Sequence, residues 1–299
     1  MVGSIASSPS IDLSALPPPV VIPQPDFEAV LAGKLGRLLA LAPELTSLFE
    51  SDPAMKLLQA DSYDEVVLAQ AMDDAARGLL LAFATGPRLD HLAALFGVTR
   101  LVAMAANPET GAPAVMETDT ALRQRVQLAP HSFSVAGPEL AYVFHARSAH
   151  VDVADATAIS PSPGEVVVTV LSASDTGVPG APVIDAVRSA LDGPVRPLTD
   201  HVTVQAAELV PFDLLAELHV FAGPDQQLIL NTATASMFAY LATMRRLGRD
   251  VARSAIIAAL HVPNVQRVNL LLPAADVPIA AHQVAFANTT VITIAGTEL

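Results

Sequence analysis

The sequence EVVVTVL at residues 165–171 decides the fold class of this 299-residue chain. Five of its seven residues are β-branched, and such residues pack well on the pleated surface of a sheet, so we predict a strand here. The turn sequence SPSPG at residues 160–164 comes directly before it, and VDVADATAI at residues 151–159 predicts another strand. The middle of the chain is therefore predicted to contain two strands joined by a turn.

Helical patterns on both sides of these strands complete a small module. A helix is predicted to begin at Gly137-Pro138 and to lead to His145, another helix covers residues 182–191, and a third strand covers residues 201–204. This order of elements is typical of a small α+β layer. A second module follows with a similar rhythm but no sequence repeat: a strand at 212–221, helices at 225–247 and 251–260, and strands at 265–272 and 284–294.

The N-terminal part of the chain has a helical pattern instead. Apolar residues such as Phe27, Leu31 and Leu38 recur at the spacing of a helix face. The predicted helices cover residues 27–39, 53–85, 89–96 and 119–128, with a loop at residues 105–113.

These patterns divide the chain into four segments. Residues 1–26 are rich in serine and proline, with PPP at residues 17–19, and form an extended arm that is either disordered or docked on a neighbour. Residues 27–131 form a helical region, residues 132–207 a first α+β module and residues 208–299 a C-terminal α+β module. The predicted fold class is α+β, with an N-terminal helical region followed by two small α+β modules.

The composition excludes several classes of protein. The chain has 30 acidic and 16 basic residues, a formal net charge of −14, so we expect no direct contact with nucleic acid and no affinity for anionic membranes. It has no cysteine, which excludes disulfides, thiolate metal sites and cysteine nucleophiles. No stretch approaches the roughly 18–20 apolar residues of a membrane span, and the N-terminus lacks the features of a signal peptide. We expect a soluble protein made in the cytoplasm, without membrane insertion.

The sequence contains no recognisable catalytic or metal-binding motif. GxSxG, P-loop, GxGxxG and HExxH patterns are all missing. His145 and His150 are five residues apart, which does not place them on one helix face, and the adjacent Asp73 and Asp74 are predicted to lie on a solvated face. We expect no catalytic residue, no cofactor, no metal and no enzymatic activity. A hydrolase or metal enzyme on an unfamiliar α+β scaffold is the alternative from another class.

Four arginines form a basic cluster in this acidic chain. Arg245, Arg246, Arg249 and Arg253 come at the predicted end of a helix, where arginine complements the helix dipole and Gly248 can terminate the helix. The same cluster could instead face carboxylates on a neighbouring copy of the chain. Arg245, Arg246 and Arg249 are therefore the candidate interface residues.

A series of short strings carries a family resemblance over about residues 11–295. In order along the chain they are IDLS (11–14), LLQ (57–59), DAAR (74–77), ATG (84–86), LDHLA (89–93), VMETD (115–119), SVAGP (134–138), SPSP (160–163), DHVTVQ (200–205), RLGRD (246–250) and ALHVPNVQRV (259–268). With these strings the chain resembles the baseplate assembly protein J family of contractile-tailed bacteriophages. Residues 286–299 follow the family pattern loosely, which leaves the partner of the last strand open.

The resemblance implies a structural protein of the virion tail baseplate, assembled in the host cytoplasm. It implies the ring-forming component of the baseplate wedge, around the central hub and spike. Two copies bundle their N-terminal helices, here the wedge-bundle region at residues 27–131, with one copy of a tail protein I family partner. The C-terminal regions, here residues 208–299, pair between wedges as homo-oligomer contacts, and a sheath-initiating, lysozyme-fold-like baseplate protein lies close by. The same role in a domesticated contractile bacteriocin-like particle is an alternative.

A wedge subunit of this kind is expected to act mechanically. A subunit that passes a contraction signal needs interfaces with two discrete packings. The sequence suggests two flexible points, the loop at residues 105–113 and the junction at residues 206–211, where the predicted blocks meet.

Overall fold

A computed structural model describes residues 13, 16–45, 48–134, 137–174, 177–193, 195–223 and 225–298. Most of the predicted arm, residues 1–12, 14 and 15, lies outside the described residues, and so do residues 135–136 of the SVAGP string. The chain divides into two units, Met1–Thr99 and Arg100–Leu299. Helices and small sheets together confirm the predicted α+β class.

The described part of the first unit is helical. Its elements are α1 at Phe27–Leu41, α2 at Pro53–Arg77 and α3 at Gly86–Ala94. α1 begins where the Asp26 carboxylate accepts a hydrogen bond from the Ala29 N–H at 3.0 Å, which satisfies a donor that has no partner inside the helix. α2 begins with a proline, whose missing N–H would have no partner there. It ends at Arg77 rather than at residue 85 as predicted.

A buried lysine joins α1 to α2. The Lys34 ammonium lies 2.7 Å from Asp61 Oδ2 and 3.0 Å from Glu65 Oε2. It also donates to the Asp61 carbonyl at 2.8 Å. Since a buried charge is unfavourable unless it is paired and hydrogen-bonded, these contacts explain how a lysine can lie between two helices.

The second unit begins with a short hairpin and more helix. β1 at Val102–Met104 and β2 at Val115–Met116 pair antiparallel on either side of the predicted loop. The helices that follow are α4 at Asp119–Leu128, a 3-10 helix at Ala129–Phe133 and α5 at Glu139–Ala149.

The boundary between the units lies between Thr99 and Arg100, whereas the predicted helical region runs to residue 131. Leu128 at the end of α4 belongs to the same core as residues of α5, and this contact places α4 in the second unit. Buried Glu117, directly after β2, lies with its Oε1 3.1 Å from Nε of buried Arg125, which further connects this segment to α4. The predicted helical region is therefore shared between the two units.

The first α+β module has a sheet with strand order β3, β4, β5. Its elements are β3 at Val153–Ile159, β4 at Glu165–Ser172, α6 at Ala181–Leu191 and β5 at His201–Ala206. β3 and β4 are antiparallel, as the turn between them requires, while β4 and β5 are parallel and α6 supplies the crossover. The fully buried core residues of the module include Ala146, Val168, Val170, Val187 and Leu191.

The second α+β module has a sheet with strand order β7, β6, β8. Its elements are β6 at Glu208–Phe221, α7 at Gln226–Met244, α8 at Arg253–Leu260, β7 at Val265–Leu272 and β8 at Gln283–Glu298. β6 pairs antiparallel with β7 and parallel with β8, so the partner of the last strand is β6. Its core is built from β6, α7 and α8 and includes Leu214, Leu218, Ala233, Met237, Ile256 and Leu260.

Candidate functional site

The junction between the two α+β modules is a packed contact. A single residue, Ala207, separates β5 from β6, and it is buried in a cluster with Leu171, Leu247 and Val284. Leu171 comes from the first module, while Leu247 and Val284 come from the second. Flexible regions have few buried apolar contacts, so this cluster argues against the flexible point expected at residues 206–211.

Polar groups of β3 reach across the same junction. The Asp155 carboxylate accepts a hydrogen bond from the Leu247 N–H at 3.1 Å, and the Thr157 hydroxyl donates to the Ala281 carbonyl at 2.8 Å. Burial raises the pKa of Asp155, and the positive charge of Arg147 opposes that rise. The first module therefore positions the segment after α7 and the segment before β8.

The candidate arginines lie on the loop that follows α7. Arg245 is half-buried, and its guanidinium donates to the Ser174 carbonyl of the first module. Arg249 donates to the Thr243 carbonyl in the last turn of α7 at 3.0 Å, a contact that suits a cation at a helix C-terminus. Arg246 and Arg249 are exposed.

The arginine cluster therefore has two parts. Arg245 makes a contact within the chain, and Arg253 anchors α8 to β7 by donating to the Leu270 carbonyl at 3.0 Å. Arg246 and Arg249 are exposed, and the positive charge of Arg246 also opposes the rise in the pKa of Asp155. The contact of Arg245, Arg246 and Arg249 with a neighbouring copy stays a prediction.

Asp73 is buried and does not lie on a solvated face, as the sequence had predicted. Its Oδ1 accepts hydrogen bonds from the Val21 and Ile22 N–H groups, both at 3.0 Å, and its Oδ2 lies 2.6 Å from Arg77 Nη2. The end of the proline-rich arm is thus docked on α2 of its own chain. Asp74 is exposed, and two adjacent aspartates in the sequence do not reveal which of them faces inward.

The histidines considered as metal ligands do not converge. The His145 ring packs edge-to-face on Phe144 with centroids 5.3 Å apart, and burial lowers its pKa. His150 Nδ1 accepts a hydrogen bond from the Asp152 N–H at 3.1 Å. Among the described residues no group of three or more histidine and carboxylate side chains could hold a metal ion.

None of the helices in the described ranges is both long enough and apolar enough to cross a membrane.

The first unit carries an apolar surface that its own described residues leave open. A groove between α1 and α2 is lined by leucines, among them Leu38 and Leu58, and by both basic and acidic residues, among them Arg37 and Asp64. Other large apolar side chains of α2 are also exposed, namely Leu57, Tyr63, Val67, Leu68 and Met72. Large exposed apolar side chains of this kind are typical of a protein contact.

Comparison with known proteins gives matches along most of the chain. A baseplate J-like N-terminal domain matches residues 50–107, a baseplate J-like central domain residues 134–206, and a baseplate J-like protein C-terminal domain residues 212–293. Baseplate protein J of Escherichia phage P2 is 41% identical over 300 residues, covering 97% of this chain and 99% of that protein. The chain belongs to the baseplate J-like protein family. The predicted resemblance is confirmed.

Membership of the baseplate J-like family gives the role and location of the chain. It is a structural protein of a contractile phage tail baseplate, located in the virion among other baseplate proteins. The central-domain match covers the sheet of β3, β4 and β5, and the C-terminal match covers most of the second sheet. The N-terminal match, residues 50–107, crosses the boundary between the two units.

Proposed function

We propose that this chain is the ring-forming subunit of the baseplate wedge, arranged around the central hub and spike of a contractile tail. The observation that carries the proposal is the open apolar surface of α2, on which Leu57 is 72% exposed, Tyr63 63% and Leu68 55%. Large apolar side chains are unfavourable in water, so their exposure suits a unit that assembles with other chains.

The first unit is the hetero-assembly element in this proposal. Its helices bundle with those of a second copy and with one copy of a tail protein I family partner. The groove offers Leu38 and Leu58 as apolar contacts, and its charged lining includes both Arg37 and Asp64. An amphipathic partner helix with an apolar stripe fits such a groove.

The second unit carries the contact between like subunits, within residues 208–299, and so closes the ring. Exposed Arg246 and Arg249 support this part of the proposal, because a copy with a net charge of −14 offers carboxylates to a neighbouring arginine. The sheath-initiating, lysozyme-fold-like baseplate protein is proposed to lie close by.

We further propose that the protein has no enzymatic activity and no cofactor, and that it transmits the contraction signal mechanically. A change between two discrete packings at subunit interfaces requires neither chemistry nor a cofactor. The same role in a domesticated contractile bacteriocin-like particle is the alternative. Capsid and terminase genes beside the gene for this chain would indicate a virus.

Deletion of residues 1–99 tests the assignment of the first unit. The truncated chain and the full chain are each co-expressed with the tail protein I family partner of the same particle. We expect the full chain to co-purify with that partner and the truncated chain to remain folded by circular dichroism but to lose it. Capture of the partner by the truncated chain would contradict the proposal.

Surface variants of the full chain test the same assignment without a deletion. Leu57→Asp combined with Tyr63→Asp places two charges on the open surface of α2 and is expected to abolish capture. Leu228→Asp on α7, where the side chain is 65% exposed, is the matched control and should leave capture unchanged. Equal capture by both variants would remove the α2 surface from the contact.

A further inference from the structure

β8 forms a long and uncharged edge of the second sheet. It spans 16 residues and pairs on one side with β6. From residue 283 to residue 297 its sequence is QVAFANTTVITIAGT, which contains no charged residue and no proline. A strand with a free edge presents N–H and C=O groups that a further strand can bind.

Other strand edges of the second unit are protected in ways that β8 lacks. β7 has 8 residues, carries Arg267 in its interior and is followed by Pro273. β3 and β5 are shorter still, with 7 and 6 residues. Natural sheets protect their edges with short strands, charges and prolines, and against this background β8 is the exposed edge.

Two bulges mark off a regular segment inside β8. The pairing with β6 shifts between Ala287 and Thr289 and again between Ile294 and Gly296, so that one extra residue stands at each place. The segment between the bulges is TTVITI, residues 289–294, and all six of its residues are β-branched. Such a segment has the high β-propensity and low charge that favour pairing between chains.

The free side of β8 is covered only at its start, as far as the described residues go. There the Gly248 N–H donates to the Gln283 carbonyl at 3.0 Å. Beyond this point the hydrogen bonds of the strand's backbone go to β6. In a strand, every second residue directs both its N–H and its C=O group to the same side. The rest of β8 therefore has a row of N–H and C=O groups on its free side that another strand can bind.

The two faces of the TTVITI segment differ. Ile292 and Ile294 pack against the core of the module, while Val291 and Thr293 are exposed on the other face. Residues directly opposite each other in an antiparallel pair lie on the same face of the sheet. A second copy can pair antiparallel with its Val291 opposite Val291 of the first copy. Its Ile292 and Ile294 then lie on the same face of the joined sheet as those of the first copy.

We propose that β8 pairs antiparallel with β8 of a second copy, about a two-fold axis near Val291, and joins the two sheets into one. This inference rests on the proposed contact between like subunits and names its surface. The segment is complementary to itself, which is what a two-fold interface requires. Since the segment carries no charge, two copies of an acidic chain can meet there without repulsion.

Charge near the start of β8 also favours a second copy as the occupant. That start is held by Gly248, in the loop that carries the exposed Arg246 and Arg249. Antiparallel pairing brings the start of one β8 towards the end of β8 in a second copy, whose net charge is −14. The arginines of each copy are thus brought near an acidic neighbour.

Sedimentation velocity of the full chain and of Val291→Lys tests the pairing. Two lysines face each other across the axis, and we expect the dissociation constant of the dimer to rise by about tenfold or more. Leu271→Lys on β7 is the matched control, because Leu271 is 40% and Val291 39% exposed, and it should dimerise like the wild type. Mixing Val291→Lys with Val291→Glu should restore the dimer, since opposite charges then meet across the axis.

A wild-type chain that stays monomeric, or a Val291→Lys variant that dimerises like the wild type, would overturn the β8 pairing. In the second case the chain still associates with itself through another surface, so the proposed like-subunit contact stands while its assignment to β8 falls. The assignment of the first unit is tested separately, by the capture of the tail protein I family partner.

Discussion

Asp73 holds the end of the arm to α2 through contacts that its neighbour Asp74 does not make. Asp73→Ala removes the acceptor of the Val21 and Ile22 N–H groups and leaves Arg77 without its buried carboxylate. We predict that the free energy of unfolding falls by about 3 kcal/mol, measured by urea denaturation. Asp74→Ala is the control, with a change within about 0.5 kcal/mol, because that side chain is exposed. Equal effects of the two variants would contradict the docking of the arm.

The lowered pKa of His145 predicts that the stability of the fold depends on pH. Burial lowers its pKa below the usual value of 6.5, so the unfolded chain binds a proton more readily than the folded one. The contribution of His145 is therefore complete above about pH 6.5 and is lost as the pH falls through its folded pKa. His145→Gln should reduce the loss of stability between about pH 7.5 and about pH 5 in urea denaturation, whereas exposed His91→Gln should not. An unchanged pH dependence in His145→Gln would contradict this assignment.

Which polar side chains are buried could not be predicted from the sequence. Asp73 and Asp74 are adjacent and chemically identical, and what distinguishes Asp73 is its contacts with the arm and with Arg77. Arg245 and Arg246 present the same problem, because the Ser174 carbonyl that Arg245 binds lies 71 residues away in the chain. Such contacts depend on tertiary structure, and local spacing contains no signal for them.

Helices and strands could be predicted where their residues carry a periodic or β-branched pattern. α4 at Asp119–Leu128 and β7 at Val265–Leu272 have the predicted bounds. β1 and β2 were missed, since strands of 3 and 2 residues are too short to have a period. The end of α2 was placed too late, because the apolar residues after Arg77 continue the pattern although the chain there forms turns.

For the exposed arginines of the loop after α7 we predict that a double charge reversal and a single substitution affect self-association differently. Arg246→Glu combined with Arg249→Glu should weaken self-association of the full chain, more strongly at low salt, because both side chains are exposed. A single Arg→Ala at either position should have little effect, since an exposed ion pair contributes only about 0.2–1 kcal/mol. Sedimentation velocity at two salt concentrations measures this. Unchanged association of the double variant at low salt would remove Arg246 and Arg249 from the interface.

The contacts between the two α+β modules predict that they move as one body. Ala207, Leu171, Leu247 and Val284 form a shared cluster, and Asp155 bonds across the junction. Superposition of copies from one wedge, or of one copy before and after contraction, should keep the two sheets in a fixed mutual orientation. A rotation of one sheet against the other about residues 206–211 would contradict this prediction.

A density map of the intact baseplate of the particle that contains this chain tests its role as a ring-forming wedge subunit most directly. We predict density for the chain in a ring around the central hub and spike. The α2 surface around Tyr63 should be covered by helices of a second copy and of another protein, and residues 208–299 should contact a like subunit. Density that places the chain away from the ring, or that leaves the α2 surface facing solvent, would contradict the proposed role.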